Sequence, residues 1–138
     1  MDDQFEPILN EAVYPTLSLN KYYLKILKCT EDLQVRQYLL GKVKDAVWLR
    51  KTVQRRMDTL LKVAQTIVQI QQQFFIKGPK YLVSMNLSDI AQKLSLHEST
   101  VSRAVHDKYL ECSRGVYQLK YFFHPKQTVK GAAVLDRP

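Results

Sequence analysis

Between residues 39 and 74 the apolar side chains fall at positions 39, 43, 46, 49, 53, 57, 60, 64, 67, 70 and 74, ten steps over 35 residues, or 3.5 residues per step. That period places them on one stripe of an amphipathic helix packed along a single seam. No proline occurs between Thr16 and Lys77, and Gly78-Pro79 supplies a stop, because glycine closes a helix in a left-handed conformation and proline does not continue one. A long helix over residues 39–76 is expected, running roughly 55 Å if continuous at about 1.5 Å per residue. A helix of that reach exceeds what a 138-residue globule covers on all sides, so part of it should project or meet a partner.

Ahead of it, MDDQFEPILNEAVYPTLSLN carries two prolines, alternates poorly and reads as extended or irregular. Residues 21–27 (KYYLKIL) return to helical spacing, and Thr30 before Glu31 and Asp32 has the chemistry of an N-cap with acids in the first turn. Residues 77–86 read as a loop.

The run LSDIAQKLSLHESTVSRAV (87–105) has the layout of two short helices crossing at a tight turn. Leu87, Ile90, Ala91 and Leu94 form one apolar face, Leu96 sits in the turn, and Val101, Ala104 and Val105 form the second; the small Ala91 lets the backbones approach while Val101 plugs the joint. Ser88 is a candidate cap for the first helix, and Ser95 or the His97-Glu98 pair for the second. The turn position that commonly takes glycine is Ser95 here, a modest conformational cost. The outward face of the second helix is Ser99, Ser102, Arg103 and His106, spaced i, i+3, i+4, i+7. Arginine can grip guanine O6 and N7 with two hydrogen bonds in the major groove, and Ser99 and Thr100 near the helix start suit phosphate contact or capping.

Next, YLECSRGVYQLKYFF (109–123) carries a turn signal at Arg114-Gly115 between apolar positions, which predicts a short hairpin or wing. Arg114 and Lys120 are placed to flank a phosphate, whereas Tyr117, Tyr121 and the Phe122-Phe123 pair are expected in the core. The last fifteen residues are weakly patterned and expected to be loosely ordered.

Charge adds direction. The chain carries 21 Lys and Arg against 13 Asp and Glu, net +8. The surplus is uneven: residues 1–32 hold six acids and three bases, and residues 33–138 hold seven acids and eighteen bases. Lys44, Arg50, Lys51, Arg55, Arg56 and Lys62 share the polar side of the long helix. A one-sided basic surplus suits a nucleic acid or acidic partner, and equally a solvated lysine-rich face. No run approaches the ~18 apolar residues of a membrane span, and the first fifteen residues are acidic without an apolar core. Cys29 and Cys112 lie far apart with no CxxC, so reduced thiols and a cytoplasmic setting are expected. No Gly-rich phosphate loop, GxSxG or HExxH occurs, and His97, His106 and His124 have no partner at metal-ligand spacing. A non-enzymatic protein without cofactor or metal is the expectation.

HESTVSRAVHDKYLECSRGVYQLKYFF (97–123), preceded by DAVWLRKTVQRRMDTLLKVAQTIVQIQQQFF (45–75), closely resembles the middle and later part of the bacterial enhancer-dependent RNA polymerase sigma factors, the sigma-54 class. YPTLSLNKYY (14–23) is similar to the last part of that family's core-binding region. The resemblance implies an extra-long helix and a helix-turn-helix lying against the promoter near its −12 element, with the upstream helical part on core RNA polymerase. It also implies that Arg103, which closes HESTVSR, recognises the −12 element. The family's glutamine-rich activator-responsive region, most of its core-binding domain and its ARRTVAKYR-type box for the −24 element have no counterpart here; after KYFF the chain runs into HPKQTVKG. The resemblance therefore implies a fragment or truncated member.

The expected fold is all-α: a long amphipathic helix followed by a helix-turn-helix with a short wing-like hairpin. The expected divisions are 1–38 (end of the core-binding region), 39–78 (extra-long helix), 79–123 (promoter-binding unit) and 124–138 (tail). The candidate DNA-binding residues are Ser99, Thr100, Ser102, Arg103, His106, Arg114, Lys120, Arg55 and Arg56, and the expected partners are promoter DNA and core RNA polymerase. A rival of another class is a helical module that docks on polymerase or a partner helix without reading DNA. A dimeric repressor would need a two-fold interface and a palindromic site.

Overall fold

The computed structural model describes residues 5–10 and 17–123; the expected loose tail at 124–138 lies outside them. Five helices and one hairpin follow in order: α1 (Lys21–Cys29), α2 (Leu33–Ile70), α3 (Gln72–Lys77), α4 (Leu87–Leu94), α5 (Glu98–Val105), β1 (Tyr109–Cys112) and β2 (Gly115–Gln118). Short 3₁₀ turns occupy Pro79–Tyr81 and Leu119–Phe122. The all-α expectation is corrected to a mostly helical fold with a small sheet, since the wing pairs as a regular antiparallel ladder in the register Tyr109↔Gln118 to Cys112↔Gly115. The chain divides into two compact units, Leu9–Asp58 and Thr59–Pro138 with Met1–Ile8.

The first unit is sparsely cored. α1 starts at Asn20, whose side chain accepts from Tyr22 N–H at 2.9 Å. The cap expected at Thr30 is made by Asp32 instead: Asp32 Oδ1 accepts from Gln34 N–H at 2.9 Å and Val35 N–H at 3.4 Å, so α2 begins six residues before the predicted start. A carboxylate at this place also faces the positive end of the helix dipole. Along the predicted seam Leu39 is buried but Leu49 is 49% exposed, and beside the seam Tyr38 and Trp48 are exposed to a greater degree. The 3.5-residue period holds here without full burial.

The second unit holds the core. Leu60, Val63, Ala64, Ile67 and Val68 are buried along the final turns of α2. The helix expected over residues 39–76, whose continuity the spacing leaves open, breaks at Gln71, whose φ of −97° and ψ of 23° leave the helical region. Gln71 is fully buried. Its side-chain amide donates to Val83 O (2.8 Å) and Phe122 O (3.4 Å), and its Oε1 accepts from Val83 N–H (2.8 Å). The buried glutamine thus finds backbone partners for its amide in two distant segments, the condition for burying an amide without a desolvation penalty. α3 then runs to Gly78, whose φ of 110° admits a closing turn.

Around this break an aromatic knot forms. Phe74 and Phe122, both fully buried, meet edge to face with ring centres 5.1 Å apart, and Phe74 also meets Tyr117 and Phe75 in the same manner. Edge-to-face pairs set the positive rim of one ring against the negative face of another. Phe5 lies over Phe75 at 5.7 Å. Phe122 is in the core as expected, while Tyr117, Tyr121 and Phe123 are half-buried. Burial, with the Tyr117 phenol beside it, raises the Tyr121 phenol above its usual value.

Candidate nucleic-acid interface

The helix-turn-helix forms where the apolar pattern places it. Its first helix is capped by Asn86 rather than Ser88: Asn86 Oδ1 accepts from Asp89 N–H (2.9 Å) and Asp89 Oδ2 accepts from Asn86 N–H (3.0 Å), a reciprocal capping box. Ser95 takes the left-handed conformation, φ 55° and ψ 42°, and its N–H bonds back to Ala91 and Gln92. Ile90, Ala91, Val101 and Val105 are buried and seal the joint of α4 and α5.

Of the two starts open for α5, the structure uses His97. Its Nδ1 accepts from Ser99 N–H at 3.1 Å and lies 2.8 Å from Ser99 Oγ. With Nδ1 accepting, the ring proton sits on Nε2. Ser99, half-buried, is thereby engaged with the cap.

At about 100° per residue, Ser99, Ser102, Arg103 and His106 project within roughly a 100° arc of α5, while the buried Val101 and Val105 point the other way. Arg103 is exposed and lies in the last turn; Thr100 and Ser102 are half-buried. His106 follows the helix end as its C-cap, and its Nε2 is 3.1 Å from Asp107 Oδ2. The face is therefore short, polar and cationic at its far end. It can offer hydroxyl and guanidinium groups to a polar edge.

Four further candidates fall elsewhere. Lys120 is exposed on the 3₁₀ turn after β2. Arg114, expected to flank a phosphate, turns back onto α3: its Nε donates to Phe75 O (3.2 Å) and Nη2 to Ile76 O (2.7 Å). Those carbonyls lie at the negative end of a helix and have no partner within it, which is what attracts a guanidinium. Arg55 and Arg56 are exposed on α2 in the other compact unit; the exposed Lys44, Arg50 and Lys51 share that unit, and the exposed Lys62 lies past its boundary. Among the described residues no group of three His, Cys, Asp or Glu is placed to hold a metal, and no helix is long and apolar enough to cross a membrane.

Two positioning residues escaped the sequence reading. Gln71 falls four residues after Ile67 and three before Phe74, so helical spacing already put it on the apolar side, although its polarity hid it. The inward turn of Arg114 left no local signal, because its acceptors lie nearly forty residues away in sequence.

Residues 36–134 match the family model described as "Sigma-54, DNA binding domain". The RNA polymerase sigma-54 factors of Salmonella typhimurium (strain LT2) and Escherichia coli (strain K12) are each 40% identical over 123 residues, 89% of this chain and 26% of theirs. A putative RNA polymerase sigma-54 factor of Clostridium kluyveri is 37% identical over 89% of this chain and 27% of its own length. The chain thus spans about a quarter of the curated relatives it matches. Among solved structures, Aquifex aeolicus sigmaN bound to promoter DNA superposes with a TM-score of 0.62 at 29% identity, over 85% of this chain and 35% of that one. With the family model covering most of the chain and the helix-turn-helix in place, this protein belongs to the sigma-54 family, in the region of that family's DNA-binding domain.

Proposed function

We propose that the chain serves transcription initiation as the promoter-reading part of a sigma-54-type factor, acting by binding rather than catalysis in the cytoplasm. α5 enters the major groove near the −12 element, Arg103 reads a base edge there, and Ser99, Thr100, Ser102 and His106 line the approach. Lys120, with Arg55 and Arg56, neutralises phosphates, and core RNA polymerase docks on the N-terminal helical part. The observation that carries this reading is the exposed Arg103 guanidinium on the one polar face of a capped helix whose opposite face is buried. The promoter-bound state of the Aquifex aeolicus relative supports DNA as the partner. The exposed Tyr38 and Trp48 on α2 suit a protein partner for the other unit.

The test compares Arg103→Ala and Lys120→Ala on a −12/−24 promoter duplex and a random duplex across a salt series. Arg103→Ala should lose about 1–3 kcal/mol on the promoter alone. Lys120→Ala should weaken both duplexes alike and lower the salt slope by about 0.9. Equal weakening of both duplexes by Arg103→Ala would remove the base-reading role. A stable polymerase complex with no duplex affinity would favour the docking-module alternative.

A further inference from the structure

Lys77 and Lys80 flank the place where Arg114 was expected to meet a phosphate, and the geometry points to these two lysines as a phosphate-backbone clamp beside the hairpin. This inference rests on the promoter-reading role proposed for α5.

The hairpin turn and the loop at 77–81 are held together by Arg114. Besides its two bonds to α3, its Nη1 lies over Gly78, where a Cβ added to that glycine would sit only 3.2 Å away. The turn follows the end of α5 after three residues and the four of β1, so Arg114 ties the loop to the hairpin that comes directly after the proposed reading helix.

The chemistry of the loop suits a phosphate backbone. Lys77 and Lys80 are both exposed, and neither they nor Arg114 pairs with a carboxylate among the described residues. Lys77 Nζ sits 5.2 Å from the centre of the Tyr81 ring, a cation–π contact that restrains the ammonium at the surface and so reduces the entropy lost when it meets an anion. Arg114 is already engaged by backbone carbonyls and acts as the strap. Three positive charges gathered without a carboxylate repel one another, and a polyanion relieves that repulsion. Pro79 between the lysines sits at the start of a 3₁₀ turn, and its fixed φ limits how far the two can drift apart.

The test uses the full chain with a labelled promoter duplex and a random duplex of equal length, each titrated across a salt series. Lys77→Ala/Lys80→Ala should lower the slope of log K against log salt by about 1.8, which is about 0.9 for each phosphate contact. It should weaken both duplexes by the same factor and leave the promoter-to-random ratio unchanged. Lys77→Arg/Lys80→Arg should restore the slope, which separates charge from folding. An unchanged slope in the alanine variant overturns the clamp while leaving the role of Arg103 standing. A collapsed promoter-to-random ratio also overturns it, since the lysines would then act on base reading. If the unaltered chain binds neither duplex with a salt slope, the promoter-reading proposal falls and the clamp with it.

Discussion

His97 shows how one side chain sets the start of the proposed reading helix. Histidine is a rare cap, and its Nδ1 takes over a task that Ser, Thr, Asp or Asn usually performs, accepting from an N–H that the helix cannot satisfy. Ser99 lies one turn before Arg103, so fraying of this first turn loosens the strut beneath the guanidinium. His97→Ala should lower stability by about 1 kcal/mol and weaken promoter binding, with thermal unfolding and duplex titration as readouts. His97→Asn should restore both, because its Oδ1 accepts from the same N–H. Equal losses from the two variants would instead mean that the imidazole acts through Nε2–H.

At the scale of the element, the break between α2 and α3 decides where the helix-turn-helix is mounted. Gln71 joins the end of α2 to Val83, three residues before the α4 cap, and to Phe122 after the hairpin. Gln71→Ala removes the partner of Val83 N–H and C=O and of the buried Phe122 O; an unsatisfied buried polar group alone costs about 1–3 kcal/mol. Urea unfolding should record a loss of at least that size, and a loss below about 0.5 kcal/mol, the usual range for an exposed position, would contradict the clasp. The same region marks the limit of what the sequence reveals. The crossing of α4 and α5 was legible because Ile90, Ala91, Val101 and Val105 announce their burial by spacing alone. The hairpin was legible from Arg114-Gly115, where Gly115 takes the positive φ of 125°. The break at Gln71 was not, since three successive glutamines are all good helix formers and only tertiary bonds single one out. Nor was the strap made by Arg114: an arginine beside a turn reads as a free cation until the carbonyls of α3 come into view. At the caps, Thr30 and Ser88 gave way to Asp32 and Asn86, residues equally able to accept from an N–H, so local chemistry identified the signal and geometry chose its bearer.

For the whole molecule, the basic surplus follows the chain from residue 33 onward, while the buried core begins in earnest only at Leu60. The Leu9–Asp58 unit keeps Tyr22, Tyr38 and Trp48 exposed, a surface that suits the protein partner proposed for it. The other unit has a closed aromatic core, and its polar face on α5 offers little for protein packing. This division matches the two proposed partners, polymerase for one unit and promoter DNA for the other. The central claim is that Arg103 reads a base. It is tested most directly by titrating the full chain and Arg103→Ala against a panel of duplexes in which each base pair of the −12 element is replaced in turn. The unaltered chain should lose about 1–3 kcal/mol at one base pair, and Arg103→Ala should be indifferent to that base pair while keeping its preferences elsewhere. If the variant retains the full penalty at every base pair, Arg103 is not the reader.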